Sequence, residues 1–196
     1  MKNLEAKMDE AFQENILFPR EQTVIDFLVS VLNNPEKFRE DGRKIEVIGL
    51  YYYAASPLSF LFAMPNYAYY APDKTVHIAE LHLKEHGFGD YTYADLQELC
   101  KNVLEEHNFS DDSRTQRNSL PDLSSYWENQ SRLEHEFLRQ CWKKAKEQTR
   151  SKVLGFLEAS DSSSLVYDLD NGYDLPFEVD VDEYLQAQGF RFEKEN

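Results

Sequence analysis

Cysteine is scarce in this chain. Cys100 and Cys141 are the only two, they form no C-x-x-C pair, and each sits in a helix-like pattern. That excludes a disulfide framework and points to a reducing, cytoplasmic setting. Nucleotide and nucleophile signatures are also missing. There is no G-x-x-x-x-G-K, no G-x-G-x-x-G and no G-x-S-x-G, so neither phosphate cradling nor a serine elbow has local support. The first ten residues contain no apolar h-region, which predicts no signal peptide. Charge is absent from Val47 to Pro72, but Ser56-Pro57, Ser59, Pro65-Asn66 and Pro72 punctuate that run. A spanning helix needs about 20 mostly apolar residues without such breaks. The run therefore reads as buried strands and turns, with no membrane role. No internal repeat and no glycine-rich linker divides the chain. The expectation is one domain over 1–196, with a helical N-terminal segment at 1–42 and an α+β core at 43–196.

Positive charge is the most informative absence. Between Lys152 and Arg191 there is neither Lys nor Arg, while nine acids occur: Glu158, Asp161, Asp168, Asp170, Asp174, Glu178, Asp180, Asp182 and Glu183. Phe156, Tyr167, Tyr173, Phe177, Tyr184 and Phe190 lie among them. The whole chain carries a formal charge of −15. Such a field repels nucleic acid and anionic membranes and attracts basic surfaces. Only two segments are locally basic: Lys143, Lys144 and Lys146 near Arg150 and Lys152, and the stretch with Arg114 and Arg117.

The hydrophobic pattern gives an order of elements. Leu4, Met8, Ala11 and Phe12 share a helical face. Pro19 interrupts, and Val24, Ile25, Phe27, Leu28, Val31 and Leu32 define a second helix ending near Asn33-Asn34-Pro35. Ile45 to Ala54 and Phe60 to Met64 read as paired antiparallel strands, and Thr75 to Leu83 as a third. Thr92 to His107 reads as a helix, Phe109 to Leu123 as a loop. A long helix follows, with a capping box at Ser125 and Glu128 and a buried stripe of Leu133, Phe137, Leu138, Cys141, Trp142 and Ala145. Glu134, His135, Glu136 and Arg139 would form its solvated face. Strands at Lys152 to Leu157 and Leu165 to Leu169, a turn at Asn171-Gly172 and a short helix after Asp180 complete the chain. The fold expected is α+β, with a mainly antiparallel sheet, N-terminal helices and one long helix packed on it.

Two motifs resemble metal sites. His82-Leu-Lys-Glu85-His86 has the H-x-x-E-H form of the inverted zinc peptidases, in which two histidines one helical turn apart hold zinc and the glutamate activates water. Here the preceding residues alternate like a strand and Gly87 follows at once, so a polar strand end is expected and no metal. Asp168-Leu-Asp170-Asn171-Gly172 resembles a calcium loop, but its glycine falls at position 5 where that loop needs it at 6. A hairpin turn with flanking acids explains it.

Three features carry a family resemblance: the tyrosine-rich strand Ile45 to Ala54 with its Ser-Pro turn, the long helix around Cys141-Trp142, and the run Gly155 to Asp161. With them the last three quarters of the chain resembles the small acidic immunity proteins encoded beside bacterial toxins. That resemblance implies neutralisation of a toxin, typically a basic enzyme. The reading of the residues alone is a non-enzymatic binding module without cofactor. Its face for a basic protein would comprise Asp168, Asp170, Tyr173, Asp174, Phe177, Glu178, Asp180 and Asp182. The alternative is a metal-assisted hydrolase using His82, Glu85 and His86. Oligomeric state is not legible.

Overall fold

A computed structural model describes residues 2–34, 47–53, 56–64, 76–79, 81–88, 93–106, 124–159, 166–175 and 181–188. Helix α1 (Lys2–Phe12) buries Met8 and Phe12, the face its spacing marked. It runs through a wide turn and a tight turn, Gln13–Leu17 and Phe18–Arg20, into α2 (Glu21–Asn33). Pro19 sits at the start of the tight turn, where a missing N–H is tolerated, and α2 begins two residues later. Strands β1 (Val47–Tyr53), β2 (Ser56–Met64) and β3 (Val76–Ala79) follow, then α3 (Tyr93–Glu106) and α4 (Ser124–Thr149). Strands β4 (Leu154–Ala159), β5 (Val166–Asp168) and β6 (Tyr173–Asp174) and helix α5 (Val181–Ala187) close the order. The expected loop at Phe109 to Leu123 lies wholly outside the described residues.

The fold is α+β, and its sheet is mixed. Strand order is β3-β2-β1-β4-β5-β6. The β1–β2 hairpin is antiparallel as the turn signals predicted, although Ser56 and Pro57 already belong to β2, with Ser56 opposite Tyr53. At the centre β1 and β4 run parallel, Ile48 beside Gly155 and Leu50 beside Leu157. The expectation of a mainly antiparallel sheet is therefore corrected to a mixed one. A parallel pair needs a long crossover, and here it contains β2, β3, α3 and α4.

Alternation along the strands sorts the two faces. One carries Ile48, Leu50, Leu157 and Tyr167, which join α2 and α4 in the main core. Leu133, Phe137, Leu138, Cys141, Trp142 and Ala145, the stripe of α4, are all buried there. Trp142 is fully buried against Gly155: a Cβ at 155 would stand 2.5 Å from two indole carbons. Glycine is what lets the helix lie close to β4. The opposite face carries Phe156, whose ring meets Tyr184 of α5 edge-on at 6.3 Å. A smaller cluster of Met8, Cys100 and Val103 joins α1 to α3. Among the described residues no helix is long and apolar enough to cross a membrane.

The polar face expected of α4 is only partly solvated. Glu134 is 2% exposed and hydrogen-bonded by Gln130 Nε2 at 2.9 Å. Burial holds its carboxyl well above the usual glutamate range. His135 stacks at a tilt on Tyr167, ring centres 5.1 Å apart.

Candidate functional site

The acidic turn between β5 and β6 is built around one carboxylate. Asp168 ends β5 and is 3% exposed. Its Oδ1 accepts the backbone N–H groups of Asp170 and Asn171, both at 2.8 Å. Its Oδ2 accepts Asn171 Nδ2 at 2.9 Å and the Tyr184 hydroxyl at 2.6 Å. The Gly172 N–H reaches the Asp168 carbonyl at 2.8 Å, closing the turn. Aspartate suits this position because its short side chain bonds the main chain two and three residues on. Gly172 has φ +79°, a conformation that L side chains rarely adopt, so the turn favours glycine there; a Cβ would also press on the flexible Arg139 side chain.

Tyr184 gives its proton to Asp168, so the 2.6 Å bond between the two phenols has Tyr173 donating to Tyr184. Burial, then the bond to Asp168, raises the Tyr184 phenol well above the ordinary tyrosine value. The Tyr173 ring stands edge-on to that of Tyr184 and is 44% exposed. Asp170 turns the other way. Its Oδ1 accepts Trp142 Nε1 at 3.2 Å and pairs with Lys146, and its Oδ2 accepts the Gly155 N–H at 2.9 Å. It ties the turn to α4 and β4 together.

The expected binding residues thus divide. Asp168 and Asp170 are spent inside the structure, one toward α5 and the other toward α4, and do not form an open face. Tyr173 and Asp174 are exposed on β6, the sheet edge. They do not share a face either. Tyr173 pairs with Asp168 on the α5 side, and Asp174 with Tyr167 on the α4 side, where its charge opposes the lowering of the His135 pKa by burial. Phe177, Glu178 and Asp180 lie outside the described residues, as does the side chain of Asp182. Sequence reasoning missed Asn171, Trp142 and Lys146 as partners of the turn. An aspartate three residues before Asn in an Asn-Gly turn was the signal for the first.

His82, Glu85 and His86 sit at a short 3₁₀ turn, Leu83–His86, stopped by Gly87 at φ +83°. All three are exposed. Among the described residues no three His, Cys, Asp or Glu side chains gather as metal ligands. Cys141 is fully buried and its thiol is pushed up to about 12, chiefly by burial. A thiol so placed supplies no thiolate near neutral pH. No protein family, curated protein or solved structure matches the chain.

Proposed function

We propose that the chain is a non-enzymatic binding module for a basic protein, and that contact is made through the β6 edge and the turn before it. The observation that carries this reading is the buried Asp168 carboxylate. Its four accepted hydrogen bonds hold a short turn whose exposed products are an aromatic ring, Tyr173, and a carboxylate, Asp174. Rigid tyrosines supply contact area at low entropic cost, and carboxylates within a field of −15 steer cations in. An edge strand also offers backbone groups to a partner. The finer reading, neutralisation of a basic toxin by masking it, rests on the resemblance of the chain to immunity proteins.

The test is retention of proteins from a lysate of the source organism on the immobilised chain, eluted with rising salt. A basic protein should be held at low salt and released early, and lost from the double variant Tyr173→Ala, Asp174→Lys with circular dichroism unchanged. A retained set that ignores both salt and the double variant would contradict the proposal.

A further inference from the structure

The sequence contains one Asn-Gly pair, Asn171-Gly172, and the structure puts it at the exposed tip of the acidic turn. Asn-Gly is the pair most prone to lose its side-chain amide, because glycine leaves the following nitrogen unhindered. The Gly172 nitrogen, once deprotonated by base, attacks Asn171 Cγ. A bond from that nitrogen to Cγ closes a succinimide ring, the Cγ–Nδ2 bond breaks and ammonia leaves. Water then opens the ring at either carbonyl and leaves aspartate or isoaspartate at 171. Water and base are the only other reactants.

The folded turn blocks both ends of this step. The Gly172 N–H is given to the Asp168 carbonyl at 2.8 Å, so its proton is not offered to solvent base. The Asn171 side chain is held away from its own main chain by bonds from Nδ2 to Asp168 Oδ2 at 2.9 Å and to the Tyr184 hydroxyl at 3.3 Å. Asp168 and Tyr184 therefore restrain a reactive pair that exposure alone would leave open.

We infer that Asn171 is a conditional modification site. Conversion to the acid is suppressed while α5 holds the turn and proceeds when the turn opens, and it then prevents the turn from closing again. The reason lies in what replaces the amide. An aspartate at 171 puts a carboxylate oxygen where a donor faced Asp168 Oδ2, two like charges at hydrogen-bond distance. An isoaspartate adds a main-chain methylene inside the loop that the Gly172-to-Asp168 bond closes. Either product loses the Asn171 bonds to Asp168 and to the Tyr184 hydroxyl, and so loosens the hold on Tyr184 and, through it, on Tyr173.

The experiment follows conversion at 171 by peptide mapping in mildly alkaline buffer, with isoaspartate distinguished from aspartate. The wild-type chain is compared folded and in urea, and beside folded Tyr184→Phe, whose ring can still pack on Phe156. Conversion in the folded wild type should be at least about tenfold slower than in urea, since local opening must precede it. Tyr184→Phe, shown to be folded by near-ultraviolet circular dichroism, should convert faster than wild type. Equal rates folded and in urea would overturn the inference without any variant. A folded Tyr184→Phe no faster than wild type would remove Tyr184 from it. Asn171→Asp should melt below wild type, and an unchanged melting temperature would refute the consequence assigned to the modification.

Discussion

Gly155 shows how much one missing methyl group can decide. Trp142 lies over it so closely that Gly155→Ala must displace either an indole with no free space or the strand itself. Overpacking of this kind costs about 1–3 kcal/mol, and chemical denaturation should show that loss with an unchanged m-value. Glu134 is a second single-residue case. Its folded pKa is raised above the ordinary 4.5, so the buried neutral form contributes fully below that value. The contribution is lost as pH rises from about 4.5 through the folded pKa. Glu134→Gln should flatten that part of the stability–pH curve, as unfolding measured across mildly acidic to neutral pH will reveal. An unchanged slope would mean that Glu134 does not set it. The burial was legible in principle: Glu134 stands four residues before Leu138 and seven before Cys141, on the apolar stripe. Its charge invited the opposite reading, and helical geometry overrode it.

At the scale of elements, α4 was the easiest part of the sequence to read. Its stripe repeats with the helical period over several turns, and a period survives ignorance of what it packs against. Leu138→Ala, deep in the contact with α2 and the sheet, should cost about 2–5 kcal/mol. Lys143→Ala, exposed on the same helix, should stay within about 0.5 kcal/mol by the same denaturant titration. The hairpin of β1 and β2 was legible for a similar reason, since its signal is local. The parallel register of β1 on β4 was not. Val47 meets Leu154 across most of the chain, and nothing near either residue encodes the other. Two apolar strands separated by helices are compatible with several sheet orders. What selects this one is tertiary: Gly155 opens room for Trp142, and Asp170 bonds the Gly155 N–H, Trp142 and Lys146 at once.

Across the whole molecule, the acidic run was visible as charge but not as direction. A count of carboxylates treats Asp168, Asp170 and Asp174 alike. In the fold Asp168 organises the turn and holds α5, Asp170 pins the turn to α4 and β4, and Asp174 faces solvent at the sheet edge. Strand alternation and the habit of aspartate to bond nearby main chain separate them physically. The net charge of −15 therefore overstates what the chain can offer a partner on any one face. This division of labour underlies both the binding proposal and the protection of Asn171. It is tested most directly by thermal unfolding of three single variants, Asp168→Ala, Asp170→Ala and Asp174→Ala, under one set of conditions. Losing Asp170 unpairs the buried Trp142 Nε1 and Gly155 N–H, each at about 1–3 kcal/mol, and losing Asp168 unpairs all four part-buried donors of the turn at once, so both should melt well below wild type. Asp174→Ala should unfold within about 0.5 kcal/mol of wild type. Equal losses at all three positions, or none at Asp168, would contradict the account.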